Sequence, residues 1–369
     1  MASIMVGMSG GVDSSVAAAL LADQGHEVVG VTLKLWGGES DSGCCSVSDV
    51  DDARRVARTL GIDHHVFNFG DEFDRHVVDP YVADHQAGRT PNPCVECNRH
   101  IKFDKLLDRA EALGFDAVAT GHHAAIATVG RGPDARRYIA RGADQAKDQS
   151  YVLYMLDQYQ LARTWLPVGG LTKDEVRARA AELDLRTAAK PDSQDVCFIH
   201  SQGGRREFLG DRIPLAPARL VDLDGAEVGT VSSVELVTVG QRRGLDLGGG
   251  AERRYVVDID RPAGVVTVGE RQHLLTESQP LRQVVWADAP VTGALDFQCS
   301  AHGAVRPGRL DLGPPPGGEQ AVDGDPDRAE AVISWRGPQP KVAEGQSIAF
   351  YVGDRVVGGA LAATPRLRP

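Results

Sequence analysis

Two cysteine segments lie far apart in this sequence, and one of them has the surroundings of a reactive thiol. Cys97 belongs to residues 88–98 (GRTPNPCVECN) and Cys197 to residues 192–199 (DSQDVCFI). The thiolate is the nucleophilic form of cysteine, and a helix N-terminus or a nearby cation lowers the pKa at which it forms. Cys97 directly precedes a helix-like, partly basic stretch that starts at Asn98. We therefore predict a reactive thiol at Cys97.

A second chemical signal is the glycine-rich loop at residues 9–14 (SGGVDS), between an apolar segment and an alanine-rich one. A strand, a glycine-rich loop and a helix in this order direct backbone N–H groups and the positive helix end at an anion. A Walker loop would carry the lysine of G-x-x-x-x-G-K-[ST], and this loop has none. A plain glycine turn is the alternative, and we favour a phosphate site of another type.

The elements around this loop alternate between strand and helix. Such a rhythm predicts an α/β fold with a doubly wound parallel sheet that has helices on both faces. Ligands of these sheets collect beyond the carboxyl ends of the strands, where the loop would lie. The predicted strands are 4–8, 27–35, 65–69 and 115–120, and the predicted helices are 13–24, 49–60 and 98–113.

The rest of the chain is rich in short β-type segments separated by Gly, Pro and Asp. A length of 369 residues suggests two or three domains. We predict a catalytic domain at 1–204, a small β-rich middle domain at 205–275 and a C-terminal β-barrel at 276–369. The run 313–318 (GPPPGG) is predicted to be a loop at a hairpin tip.

Composition narrows the class of protein further. The chain is 42% hydrophobic and 25% charged, as in ordinary globular proteins, and no apolar run approaches the ~20 residues of a membrane helix. No signal peptide precedes the first strand, so we expect a cytoplasmic protein whose six cysteines do not form a disulfide framework. A net charge of −11 argues against general coating of nucleic acid but permits a local basic groove.

Residues 9–14 match the SGGxDS signature of the PP-loop ATP pyrophosphatases, a superfamily whose members split ATP between the α and β phosphates. Further segments, in order along nearly the whole chain, resemble the bacterial tRNA-specific 2-thiouridylases. These segments are 88–98, 101–103 (IKF), 120–123 (TGHH), 147–151 (KDQSY), 192–199, 239–245 (VGQRRGL), 344–346 (EGQ) and 358–359 (GG).

This resemblance implies a reaction in which sulfur replaces the C2 oxygen of the wobble uridine of tRNA. ATP, taken with Mg²⁺, would adenylate that oxygen, pyrophosphate would leave from the loop, and a thiol or persulfide would then attack C2. The residues implied to bind ATP are Gly7, Met8, Ser9, Gly10, Gly11, Val12, Asp13, Ser14, Leu33 and Gly121.

The same resemblance implies catalytic roles for the cysteines. Cys97 matches the family's nucleophile and Cys197 its persulfide carrier, and thiol exchange between them would leave an internal disulfide that needs reduction. The family carries Asp where this chain has Cys94, so Cys94 would need a tuned pKa to take over an acid–base or orienting role. An iron–sulfur cluster on Cys94, Cys97 and Cys197 is the alternative route.

Recognition of RNA is also implied. The target uridine must leave its stack to be attacked, and an anticodon loop offers such unpaired bases. The residues predicted to contact tRNA are His122, Lys147, Asp148, Gln149 and Gln346 by the resemblance, and the pair Arg242 and Arg243 as phosphate contacts. The expected partners are the anticodon region of tRNA and a protein that donates persulfide sulfur. We expect no association with a membrane.

Two other classes of function remain open on the sequence. A PP-loop ligase that amidates a small molecule would explain residues 9–14 but would leave Cys97 and Cys197 without a task. An ATP-regulated RNA-binding or sulfur-relay module would need no catalysis.

Overall fold

A computed structural model describes residues 1–35, 47–192, 196–199, 204–247, 253–313 and 330–364. The strands in the first two hundred residues are β1 (Ser3–Gly7), β2 (Glu27–Lys34), β3 (Asp63–Asn68), β4 (Ala117–Thr120), β5 (Ala124–Val129), β6 (Arg136–Arg141) and β7 (Thr164–Trp165). The helices are α1 (Val12–Asp23), α2 (Val47–Leu60), α3 (Gly70–Phe73), α4 (Asp79–Ala87), α5 (Pro93–Glu96), α6 (Leu106–Ala112), α7 (Gln158–Ala162), α8 (Lys173–Glu182) and α9 (Gly204–Gly210). π-Helical stretches lie at Asp74–Val78 and Cys97–Lys105.

The predicted doubly wound parallel sheet is confirmed, with the strand order β3-β2-β1-β4-β7. Successive residues of β1 point to opposite faces, and both faces are buried. Ile4 and Val6 pack in one hydrophobic cluster with Val16 of α1, whereas Met5 packs in another with Leu106 of α6. β1 has β2 on one side and β4 on the other, so the strand order reverses at β1. The carboxyl end of β1 is therefore a topological switch point, which is where ligands bind in such folds.

A separate sheet follows, in the order β10-β9-β8-β12-β11. Valine side chains, among them Val231, Val256 and Val266, fill its core. Its strands are β8 (Ala218–Val221), β9 (Glu227–Val231), β10 (Asp246–Leu247), β11 (Tyr255–Asp260) and β12 (Val265–Gly269).

The last part of the chain is the predicted β-barrel. It runs in the order β13-β16-β15-β14-β17-β18 and closes because β13 pairs with β18 as well as with β16. Its strands are β13 (Leu275–Trp286), β14 (Gly293–Gln298), β15 (Arg306–Leu312), β16 (Ala331–Pro340), β17 (Ser347–Val352) and β18 (Arg355–Ala362). All of the predicted loop 313–318 except Gly313 falls outside the described residues.

The hairpin β5–β6 extends the barrel from the first part of the chain. Ala140 of β6 pairs with Arg355 of β18, so one continuous sheet joins the two regions. The domain boundaries near 204 and 275 stay a prediction. None of the described helices combines the length and the apolar character of a membrane span.

The helix that carries Cys97 begins earlier than the sequence analysis predicted. Asn92 caps it by accepting a hydrogen bond from the backbone N–H of Cys94 (3.1 Å), and Pro93 occupies its first turn. Asn and Pro are favoured at these two positions. The prediction that Cys97 directly precedes the helix is therefore wrong: Cys94 lies in the first turn, and Cys97 begins the π-helical stretch that ends at Lys105.

Candidate active site

The glycine-rich loop joins the end of β1 to the start of α1. Gly10 adopts a left-handed φ of 72°, and a Cβ there would collide with the backbone of Asp49. The N–H of Ser9 donates to Oγ of Ser14 (3.2 Å), which itself donates to the carbonyl of Gly11 (3.2 Å). Within the described residues no side chain caps the first turn of α1. Its backbone N–H groups thus point to a place suited to an anion.

Asp13, in the first turn of α1, is the centre of a charged cluster. Nζ of Lys173 lies 2.8 Å from both carboxylate oxygens, and Nε2 of His123 donates to Oδ1 at 3.0 Å. Burial alone would raise the pKa of Asp13, but the hydrogen bonds from His123 and Lys173 outweigh it and lower the pKa. Asp13 is therefore ionised at neutral pH, and the buried Lys173 brings a cation to a loop that has none.

A second cation reaches the loop from Lys190. Its Nζ donates to the carbonyl of Gly10 (3.0 Å), to Oδ1 of Asp49 (2.6 Å) and to Oδ2 of Asp52 (2.8 Å). Burial would lower the pKa of Lys190, but these two carboxylates outweigh it and raise the pKa. The sequence analysis missed both Lys173 and Lys190. The signal that could have found them is the missing lysine of the loop, since an anion site without its own cation needs one from elsewhere.

Gly121 follows β4 and packs directly against α1. A Cβ at Gly121 would collide with the backbone of Asp13 and Ser14, so only glycine permits this approach. The next residue, His122, is buried and hydrogen-bonded to Oγ1 of Thr120 (2.7 Å). Burial, with the charges of Lys102 and His123, holds the pKa of His122 well below 6.5, so its imidazole is neutral. Leu33, which the resemblance also implies binds ATP, is buried in the core on β2.

Cys97 and Cys197 both belong to the largest part of the hydrophobic core. Cys97 is buried in the hydrophobic cluster that contains Phe198, and the half-buried Cys197 packs against that cluster. Cys94 is exposed on the first turn of the helix, and all four described cysteines are thiols. In the described part of the chain, no three His, Cys, Asp or Glu side chains are grouped to hold a metal ion. Cys94, Cys97 and Cys197 therefore do not fit the cluster alternative in this arrangement.

The chain is similar to known proteins over its full length. Residues 2–201 match the tRNA methyl transferase HUP domain, 206–270 the tRNA methyl transferase PRC-barrel domain, and 322–362 the aminomethyltransferase beta-barrel domain. The tRNA-specific 2-thiouridylase MnmA of Chloroflexus aurantiacus is 44% identical, with 100% of each chain covered. The chain belongs to the tRNA-specific 2-thiouridylase family. The 2-thiouridylase of Acidothermus cellulolyticus is 43% identical, with 98% of each chain covered.

The comparison with solved structures includes weak matches to the fold. A 4-thiouridine synthetase–RNA complex with bound ATP matches with a TM-score of 0.37 and 18% identity, over 53% of this chain and 45% of that chain.

Residues 147–151 of this 2-thiouridylase family member lie beside the charged cluster around Asp13. Lys147 donates to Asp192 (2.7 Å), and the exposed Gln149 accepts through Oε1 from the N–H of His123 (2.9 Å). Asp148 is buried, and its oxygens accept from Arg141 and from the backbone N–H of Gly142. Lys147 and Gln149 stay predicted tRNA contacts. The burial of Asp148 suits positioning of this segment.

The other predicted tRNA contacts lie outside the parallel sheet. Arg242 and Arg243 are exposed on a turn of the middle domain, where Gln241 donates to the carbonyl of Arg243 (2.9 Å). Gln346 is half-buried in the barrel and directs its amide at the loop before Cys94. The motif residues Ser193, Gln194 and Asp195 lie outside the described residues.

Proposed function

We propose that this chain is a tRNA-uridine 2-sulfurtransferase that uses ATP to place sulfur at C2 of the wobble uridine. The observation that carries the proposal is that Cys97 and Cys197, a hundred residues apart in sequence, both pack in one large hydrophobic cluster. That cluster includes Met5 of the strand that ends in the glycine-rich loop. Full-length identity of 44% with a 2-thiouridylase supports the same function.

The first step is adenylation. The C2 oxygen of uridine attacks the α phosphorus of ATP, the bond to the β phosphate breaks, and pyrophosphate leaves. The open N–H groups of α1 would hold the departing phosphates, with Lys173 close by at Asp13. ATP enters as its magnesium complex, in which phosphate oxygens supply much of the coordination of Mg²⁺. The product carries AMP on the C2 oxygen, which turns that oxygen into a leaving group.

The second step moves sulfur. The terminal sulfur of a persulfide on Cys197 attacks C2, and AMP leaves with the former C2 oxygen. The thiolate of Cys97 then attacks Sγ of Cys197 and breaks the sulfur–sulfur bond. The base keeps the terminal sulfur as its thiocarbonyl, and the two cysteines are left as a disulfide. A dithiol reductant restores the thiols, and a persulfide donor protein reloads Cys197.

Binding of RNA must precede both steps, with the uridine extruded from the anticodon loop. Arg242 and Arg243 would contact phosphates, as their exposure on a turn permits. Lys147 and Gln149 are the proposed contacts nearer to the reacting base, and Gln346 would support the loop before Cys94 through its hydrogen bond to Thr90. The neutral His122 lies next to Gly121 at the edge of the nucleotide site.

The test is mass spectrometry of nucleosides from tRNA of a strain that lacks this protein. We expect 2-thiouridine to disappear and to return with the wild-type chain, but not with Cys97→Ala or Cys197→Ala. Cys299→Ala is the matched control, because burial raises the pKa of Cys299 to about 11 and it lies in the barrel core. Normal 2-thiouridine in the deletion strain would favour a ligase acting on a small molecule.

A second experiment, on the purified protein, decides the route of sulfur. Iron-free protein, purified without oxygen and given a persulfide donor, is expected to thiolate tRNA in a single turnover. Activity that appears only after iron and sulfide are added would overturn the persulfide route.

A further inference from the structure

Cys94 and Cys97 form a C-x-x-C pair at the start of a helix. Pro93–Glu96 is the first helical turn, and the helical path continues through Cys97–Lys105 to Ala112. The N–H of Cys97 donates to the carbonyl of Cys94, so one helical turn separates the two residues. Residues three apart on a helix have Cβ atoms about 5–6 Å apart, and a disulfide draws them to about 3.5–4.5 Å. Closing a disulfide across this turn therefore needs a shift of only about 1–2 Å.

The two thiols differ in exposure. Cys94 is exposed, whereas Cys97 is 8% exposed and belongs to a hydrophobic cluster. Cys197, the partner of Cys97 in the disulfide of the proposed reaction, is half-buried against the same cluster. A reductant must bring its own thiolate up to one sulfur of a disulfide, so access to that sulfur affects the rate. A protein reductant therefore reaches Sγ of Cys94 more readily than the sulfur of Cys97 or Cys197.

The proposed reaction gives Cys94 no task. This chain has Cys94 where the family resemblance gives Asp. A carboxylate can orient a group or move a proton, but a thiol can also form and break sulfur–sulfur bonds. C-x-x-C pairs at the start of a helix are the motif of dithiol oxidoreductases. Cys94 thus adds thiol exchange three residues from a cysteine that the proposed reaction oxidises.

We propose that Cys94 is a resolving thiol, which takes over the disulfide that turnover leaves between Cys97 and Cys197. The proposal rests on the proposed function, which supplies that disulfide. The thiolate of Cys94 attacks Sγ of Cys97, and the bond from Cys97 to Cys197 breaks with its electron pair on Sγ of Cys197. A new bond joins Cys94 to Cys97, so the exchange involves no net oxidation. Cys197 becomes a thiolate that can receive the next persulfide sulfur.

A dithiol reductant completes the cycle at the exposed sulfur. Its first thiolate attacks Sγ of Cys94, and the bond to Cys97 breaks with its electron pair on Sγ of Cys97, which takes a proton from water. The second thiol of the reductant loses its proton and attacks the mixed disulfide, and Cys94 leaves as a thiolate. The reductant supplies both electrons and ends as a disulfide.

Proximity makes the first exchange fast enough to precede attack by an external dithiol. Only a few per cent of an ordinary cysteine is thiolate at neutral pH. A group held beside its target, however, acts at an effective concentration far above that of a reductant in solution. We therefore expect the disulfide to reach Cys94 before the reductant arrives.

The test maps the disulfide after one turnover. Full-length protein that carries a persulfide is mixed with tRNA and the magnesium complex of ATP without a reductant, quenched with acid, alkylated with N-ethylmaleimide and digested with trypsin. Trypsin releases Cys94 and Cys97 together in residues 90–99, and Cys197 in residues 187–205. In the wild type we expect a disulfide within peptide 90–99 and an alkylated Cys197. In Cys94→Ser we expect a disulfide that joins the two peptides.

Oxidation by diamide gives a second measurement, which needs neither tRNA nor ATP. Diamide takes two electrons from a pair of thiols and forms a disulfide without sulfur transfer. In the wild type we again expect the disulfide within residues 90–99. If it forms in a protein that does not thiolate tRNA, the proposed function is refuted and the exchange couple of Cys94 and Cys97 is not.

The oxidised proteins are then reduced by a thioredoxin-type dithiol protein. We expect the wild type to be reduced at least about tenfold faster than Cys94→Ser, since an intramolecular thiol outcompetes one in solution. The side chain of Cys94 is exposed, so serine there removes no buried packing. Cys299→Ala is the matched control, because Cys299 lies in the barrel core, and it should be reduced at the wild-type rate.

Three results would overturn the inference. One is a wild-type protein in which Cys97 stays joined to Cys197 after turnover. Another is diamide-treated wild type without a disulfide within residues 90–99. The third is Cys94→Ser that the dithiol protein reduces as fast as the wild type.

Discussion

The side-chain amide of Gln346 in the barrel donates a hydrogen bond to the backbone carbonyl of Thr90 (2.9 Å), four residues before Cys94. The N–H of Thr90 in turn donates to the carbonyl of Glu344 (2.7 Å). A Cβ at Gly345 would crowd Cβ of Arg89 at 2.9 Å. The turn 344–346 of the barrel therefore holds the loop that leads into the helix of Cys94 and Cys97.

Replacement of Gln346 by Ala should slow sulfur transfer more than it weakens tRNA binding. One hydrogen bond is worth about 1 kcal/mol, which corresponds to about a fivefold lower single-turnover rate. The measurement compares that rate with the dissociation constant for tRNA. A large loss of tRNA affinity with an unchanged rate would instead support direct contact with RNA, the role that the family resemblance implies.

Gly121→Ala should destabilise the protein and weaken ATP binding. The added methyl group would press on the backbone of Asp13 and Ser14, where α1 begins, and overpacking of this kind costs about 1–3 kcal/mol. Gly170→Ala is the matched control, because nothing lies within 4 Å of a Cβ there, and it should stay within about 0.5 kcal/mol. Urea unfolding and ATP titration check both variants, and equal stability of the two would contradict the expectation.

As the pH falls, His64 should lower the free energy of unfolding before the carboxylates of the protein titrate. Nε2 of His64 binds Oγ1 of Thr32 (2.9 Å), and within the described residues its buried Nδ1 has no hydrogen-bond partner. Burial, followed by the charges of Arg54 and His65, lowers the pKa of His64 from 6.5 to about 4. The unfolded chain therefore takes up this proton at a higher pH than the folded chain does.

The contribution of His64 is thus fully present above pH 6.5 and is lost as the pH falls from there to about 4. Gln can keep the donor to Thr32 but does not titrate, so His64→Gln should lose less stability between pH 7 and pH 4.5 than the wild type. Urea unfolding at the two pH values gives the loss of stability of each protein. The difference between the two proteins cancels the effect of His85, whose pKa is also lowered by burial to about 4. Identical pH dependence in the two proteins would remove His64 as the cause.

Loss of the exposed pair Arg242 and Arg243 should weaken tRNA binding and spare ATP binding. Two phosphate contacts to single-stranded RNA change the slope of log affinity against log salt by about 1.4, and the double Ala variant should show a slope that much shallower. Arg179→Ala is the control, since Arg179 is paired with Asp23, the last residue of α1, and with Glu182, the last residue of α8. Unchanged tRNA affinity at low ionic strength would exclude the pair from the interface.

The sequence predicted those features that depend on neighbours in the chain. The SGGVDS loop, the parallel sheet around it and the β-rich remainder follow from local periodicity, glycine positions and turn residues, and the structure confirms them. The start of the Cys97 helix is also encoded locally, by Asn92 at the cap followed by Pro93 in the first turn. The predicted roles of the site residues stay predictions.

What the sequence alone determined is the glycine-rich loop and the two cysteine motifs, because the residues of each motif lie within a few positions of one another. Only the tertiary structure decided which cationic side chains lie beside that loop. Lys173 and Lys190 reach Asp13 and Gly10 across 160 and 180 residues, and such contacts depend on how strands and helices pack rather than on any local pattern. The same holds for Gln346 and Thr90, which meet across 256 residues because the barrel closes beside the loop of the cysteines.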